Sequence, residues 1–136
     1  MIDIETIVFD AVYQEIGSLL PPGCLVSEYV HSASKFPFVS LVEIANVTYR
    51  RGQDNRLDEN FAIIAYDANI FAQTKEECRR VAGLLDAAML KLQFTRISPG
   101  MQFIQNMNLS TTNPFVIRMH ARYEAITDGK EIYRKN

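Results

Sequence analysis

The sequence predicts an α+β domain: a small, mainly antiparallel sheet of about four to five strands with two helices packed on one face. Three observations lead there. Residues 36–72 hold two long runs of aliphatic, aromatic and β-branched side chains on either side of a charged segment, the pattern of a long hairpin. Two stripes of apolar residues at helical spacing bracket that hairpin. Residues 115–127 alternate strictly between apolar and polar, as a strand with one buried face does. The predicted order is helix, three strands, helix, two strands, in one domain spanning residues 1–136.

The first helix is expected over residues 3–20. Ile4, Ile7, Val8, Ala11, Val12, Ile16, Leu19 and Leu20 recur near a period of 3.6. Asp3 can cap it, and Glu5 places negative charge at the positive end of its dipole. Pro21 and Pro22, followed by Gly23, stop it, because proline lacks the amide proton and pushes its predecessor out of the α region. Residues 24–31 read as a first strand and residues 32–35 as a turn. Pro37 suits the start of the next strand, where no ladder donor is lost. The hairpin strands are expected over residues 38–49 and 60–71.

Thr74 opens the second helix, since Thr74 and Glu77 have the spacing of a capping box. Cys78, Val81, Ala82, Leu85, Ala88, Met89 and Leu92 form its apolar stripe, with Arg79, Arg80, Asp86 and Lys91 mostly off it. A short strand follows at residues 94–97, interrupted by Ser98, Pro99 and Gly100. Residues 101–113 fit either a packed loop or a short irregular strand. On the last long strand, Phe115, Ile117, Met119, Ala121, Tyr123 and Ala125 share one face, and Val116, Arg118, His120, Arg122 and Glu124 the other. Asp128 and Gly129 then signal a turn.

The totals bound the function. An apolar fraction of 48% and a charged fraction of 22% are those of an ordinary globular chain. A net charge of -2 gives no general nucleic-acid footprint, so any DNA contact would be local or steric. Cys24 and Cys78 make no disulfide framework and read as buried, reduced thiols. The acidic N-terminus is unlike a signal peptide, and no apolar run approaches a membrane span, so a cytoplasmic setting without membrane contact is expected.

No constellation of residues argues for catalysis, a cofactor or a metal. His31 and His120 have neither zinc spacing nor a neighbouring cysteine pair. Cys78 at the first turn of a helix could be an activated thiol, but a small buried core residue is the simpler reading. The scattered glycines make no phosphate-binding loop. Glu43 and Asp67 lie on opposite arms of the hairpin and could face each other as an acid/base pair. A cross-strand ion pair with Arg118 or Arg122 is the plainer assignment.

Two features suit contacts with other proteins. Arg50, Arg51 and Arg56 crowd the hairpin loop with Asp58 and Glu59, either as a solvated tip or as an arm reaching a partner or DNA phosphates. The row Arg118, His120, Arg122 is either the wet face of an antiparallel sheet or part of a subunit interface. The second alternative arises because Val39, Leu41, Val47, Phe61 and Ile63 would leave that face apolar in patches.

Phe36-Pro37-Phe38-Val39-Ser40-Leu41-Val42-Glu43-Ile44, with Asn46 and Thr48-Tyr49-Arg50-Arg51 after it, resembles the opening of the tail-terminator (tail-completion, or minor capsid) proteins of long-tailed bacteriophages of Gram-positive hosts. The resemblance continues through Glu59-Asn60-Phe61-Ala62 and Tyr66, then Lys75-Glu76-Glu77-Cys78 to Leu92-Gln93-Phe94-Thr95-Arg96. It ends with Arg118-Met119-His120-Ala121-Arg122-Tyr123 and Ile132-Tyr133-Arg134. It covers nearly the whole chain as several weak matches in series. Gln93 departs from it, standing where similar proteins tend to have Gly after the helix, which argues against a left-handed cap there. Residues 101–113 have no counterpart.

The resemblance implies a structural virion protein without enzymatic activity or cofactor, built as a small sheet with helices packed on it. Such proteins assemble in the host cytoplasm into a ring, usually a hexamer, on the head-proximal end of the tail tube. The ring stops tube polymerisation and offers a docking surface to the head-completion or connector protein. Its partners are thus itself, the tail-tube protein and the connector, and genomic DNA passes through its lumen without sequence-specific binding. The hairpin and the Arg118, His120, Arg122 face would supply side-to-side contacts, and the loop arm would reach a neighbour. The alternatives are another head–tail neck protein (a head-completion factor or a tube subunit), or a small α+β ligand-binding domain or enzyme. The last would need a concave site with convergent polar groups.

Overall fold

In a computed structural model of the chain, the described residues are 1–30, 33, 35–48, 61–104 and 116–134. Helix α1 (Glu5–Ile16) runs into a single 3₁₀ turn (Gly17–Leu19), and then come β1 (Leu25–Val26), β2 (Phe38–Thr48) and β3 (Ala62–Ala72). Helix α2 (Lys75–Lys91) follows, then β4 (Thr95–Arg96), β5 (Gln102–Ile104), β6 (Ile117–Thr127) and β7 (Ile132–Tyr133). The class is α+β as expected, but the sheet has seven strands among the described residues, more than the four to five anticipated. The extra ones, β5 and β7, are short. With β4, which was expected at residues 94–97, they have two or three residues each and pair with successive stretches of the outer side of β6. Runs that short carry no readable alternation.

The frame is three long strands, β2, β3 and β6, each antiparallel to its neighbour. β1 closes one end of the sheet. It covers two residues of the eight anticipated, and it runs parallel to β2, with Leu25 beside Val39. Parallel pairing needs a crossover, and the chain after β1 makes one on the sheet face that the helices leave bare. There the Ser40 hydroxyl donates to the Glu28 carbonyl at 2.6 Å.

The core lies between the sheet and both helices. Val8, Val12 and Ile16 of α1 and Cys78, Val81, Ala82, Leu85, Ala88 and Met89 of α2 pack as one cluster with Val39, Leu41, Ile64, Tyr66, Ala68, Ile70, Met119, Ala121 and Tyr123. The Tyr66 and Phe94 rings meet edge-on at 5.8 Å. Period-two alternation on β6 is what delivers Met119, Ala121, Tyr123 and Ala125 to this layer.

Local signals set the helix ends. Asp3 Oδ1 accepts from the Glu5 amide at 3.0 Å, although the capping position itself is Ile4. The Thr74 hydroxyl accepts from the Glu77 amide at 3.1 Å, as the capping box predicted. At the end of α2 the departure at Gln93 did not have the expected consequence. Gln93 takes a φ of 74°, the Phe94 amide donates to the Met89 carbonyl and the Gln93 amide to the Leu90 carbonyl. That is a Schellman cap without glycine. Burial of Phe94 at 0% exposure holds the backbone there.

One irregularity decides which side chains face the helices. Glu43 pairs with Tyr66 and Ala45 with Ala65, so Ile44 is an extra residue in β2. Such a bulge shifts the alternation by one. Before it, Val39, Leu41 and Glu43 point to the helix side. After it, Val47 pairs with Ile63 on the bare side. The expectation that Val39 and Leu41 make the second face apolar is therefore wrong: both are fully buried under the helices.

Candidate functional site

The bare face of the sheet carries one buried polar centre. Asp67 sits mid-strand on β3, between Val42 of β2 and Arg122 of β6, and is 7% exposed. A carboxylate so enclosed is costly unless its oxygens are engaged. Here they are. Oδ2 accepts from the Tyr29 hydroxyl at 3.0 Å. Oδ1 meets His120 Nε2 in a short contact and lies 4.0 Å from Arg122 Nε.

Each partner arrives by a different route. Arg122 is directly opposite Asp67 in the ladder, and His120, opposite Asn69, reaches it along the diagonal. Tyr29 comes from the segment that crosses the face after β1. Burial first, then the hydrogen bond to Asp67 and that carboxylate's charge, push the Tyr29 phenol above its ordinary range. With its Nε2 turned to Asp67, His120 leaves Nδ1 as the nitrogen free for another partner.

Of the residues singled out from sequence, Asp67, His120 and Arg122 thus come together; of the two arginines anticipated across the strand it is Arg122 that faces Asp67, and the His120 contact was not anticipated. Arg118 lies further along the same face, opposite Phe71, with its Nε buried and without a hydrogen-bond partner. Glu43 does not join them. It pairs with Tyr66 on the helix side, so it cannot face Asp67 as an acid/base partner. Burial, then the charges of Asp3 and Glu5, raise its pKa. Arg50, Arg51, Arg56, Asp58, Glu59 and His31 lie outside the described residues.

Tyr29 was not singled out from sequence, because only the crossover brings it 38 residues along the chain to Asp67. The same holds for a second cluster, on the helix side. Asp86 of α2 accepts from the Tyr123 hydroxyl at 2.7 Å and from Arg96 at 2.7 Å, tying α2 to β6 and β4. Burial, then the bond to Asp86, raise the Tyr123 phenol well above its ordinary range.

The thiol reading is settled by surroundings. Cys78 is fully buried, its Sγ contacts the Ile70 carbonyl, and burial pushes it up to about 11 despite its place at the start of a helix. Among the described residues, no group of three or more His, Cys, Asp or Glu side chains converges as metal ligands. No helix among them is long and apolar enough to cross a membrane.

Beyond the polar centre the bare face turns apolar. Val47 is 57% exposed, Ile63 pairs with both Val47 and Ile126, and the Phe61 and Tyr133 rings approach to 6.1 Å. Ionic centre and apolar end together make a surface of mixed character, which is the composition of protein contact faces. No protein-family model matches the chain, and no curated protein matches it either.

Proposed function

We propose that this chain is a structural phage protein that forms a ring on the head-proximal end of a tail tube, stops tube polymerisation and presents a docking surface to the head connector. The observation that carries the proposal is the two-sided sheet. Both helices cover one face, and the other joins the Asp67, His120, Tyr29 centre to an apolar end of exposed Val47 and Tyr133 and half-buried Phe61, Ile63 and Ile126. Apolar area left in water beside an ordered polar centre suits burial against another protein. The resemblance in residues 36–51 adds to it, since it begins on the strand that presents this face.

Termination requires two unlike ring faces, one that mates with tube subunits and one that refuses them. The ring itself requires a heterologous contact that closes. In this reading the bare sheet face meets neighbouring protein, while the helix layer holds the subunit rigid. The test is elongation of the cognate purified tube subunit, followed by electron microscopy. Added protein at a small fraction of the subunit concentration should shorten the tubes and leave a ring at one end. Tubes of unchanged length would sink the proposal, and tubes made by this chain alone would make it a tube subunit instead.

A further inference from the structure

The two ends of the sheet differ in charge and in shape. Residues 1–34 contain Asp3, Glu5, Asp10, Glu15 and Glu28 but neither Lys nor Arg. They make up α1 and the chain around β1, at one end of the strand order. A groove of about 450 Å³ runs there between α1 and β1, walled by Phe9, Tyr13, Leu20 and Leu25 with Asp10 at its rim. A second hollow of about 430 Å³ continues it past Glu5 to Glu28. Tyr13 is 63% exposed, and among the described residues no strand pairs with the outer side of β1.

At the other end β5 lies along β6, and among the described residues its outer side is likewise unpaired. Phe103 of β5 pairs with Met119 and so sits on the helix side, level with the groove at the far end. Lys75 Nζ lies 5.7 Å and the Arg79 guanidinium 5.1 Å from its ring centre. Glu76 and Glu77 share that turn, but the exposed Lys75, Arg79 and Arg80 outnumber them.

We infer that these ends are complementary halves of one contact: the Lys75, Arg79, Phe103 end of one copy docks into the acidic groove between α1 and β1 of a second copy. Phe103 is half-buried against its own core and carries Lys75 and Arg79 over its ring, so exposed cations on an apolar base meet an apolar groove rimmed by carboxylates. Both halves lie in the helix layer, so two copies meet end to end without inversion. Each copy keeps one end of each kind unspent, so the contact is head-to-tail and propagates until it closes. Like ends repel, which disfavours a two-fold dimer through either end and fixes the orientation of approach. The inference rests on the ring reading and adds the subunit-to-subunit surfaces, leaving the bare sheet face for tube or connector, yet its test needs neither.

Charge reversal tests it on the isolated chain. The wild type should self-associate more strongly as salt is lowered, read by sedimentation velocity. Asp10→Lys with Glu28→Lys, and separately Lys75→Glu with Arg79→Glu, should each weaken that association about tenfold or more. Mixing the two variants should restore it, because each then offers the charge the other lacks. Circular dichroism checks that both remain folded. A wild type that stays monomeric to its solubility limit, reversals without effect, or a mixture of folded variants that fails to recover would each overturn the contact. Copies that associate as inferred but do not shorten tubes would sink the tail-capping role alone.

Discussion

Asp67 shows how one residue organises the bare face. Its carboxylate is nearly closed off from water, and its acceptor sites are taken by side chains from two other parts of the chain, Tyr29 from the crossover and His120 and Arg122 from β6. Removing it strands those donors and frees the segment around residue 29 from the sheet. Asp67→Ala should lower stability by about 2 kcal/mol in urea unfolding. Asp67→Asn should cost less, because an amide oxygen still accepts from Tyr29. Equal losses for the two would mean that the hydroxyl bond does not hold the crossover.

At the scale of elements, α2 combines legible and illegible features. Its start is fixed by Thr74 and its buried stripe by Cys78, Val81, Ala82, Leu85, Ala88 and Met89. Its end is not fixed by residue type. Gln93 occupies a left-handed conformation that costs a side-chain-bearing residue about 1 kcal/mol or more, and the cap forms because Phe94 must reach the core. Gln93→Gly should therefore stabilise the fold, by about 1 kcal/mol less the entropy glycine adds to the unfolded chain. Thermal unfolding that shows no gain would indicate that the Gln93 side chain makes a compensating contact. The β2 bulge at Ile44 works at the same scale: one extra residue sends Glu43 to the helix side and Val47 to the bare side.

That division of faces sets a property of the whole molecule. Glu43 is held under the N-terminal end of α1, near Asp3 and Glu5, and its Oε1 is buried without a hydrogen-bond partner. Its pKa is raised in the folded state, so in the window above the ordinary carboxylate value the native state binds more protons than the unfolded one. Stability from this group therefore falls as pH rises through that window. Glu43→Gln should stabilise the protein at neutral pH, and the gain should vanish once the pH drops below the ordinary glutamate range. Denaturant midpoints for both proteins across pH 4 to 7 would show it, on the scale of ordinary carboxylate titration. A constant difference at all pH values would mean that shape, not charge, separates the two side chains.

The α+β class, both helices and the three long strands were legible in the sequence, and so was the choice of Arg118 or Arg122 as cross-strand partners for Asp67. Each of these rests on patterns longer than a few residues, and a pattern repeated over three or more turns or pleats outweighs local noise. Tertiary packing alone fixed the parallel pairing of β1, the short strands β5 and β7 on the edge of β6, the left-handed Gln93 and the bulge that moves Glu43 away from Asp67. These depend on what the rest of the chain packs against a site. Two-residue strands form because β2 or β6 offers a ladder, and Gln93 is strained because the core needs Phe94. Tyr29 joins Asp67 because a parallel connection has to cross the face. For the β1 pairing, the β2 bulge and Tyr29, no single stretch of sequence carries that information, since the deciding partner is far along the chain.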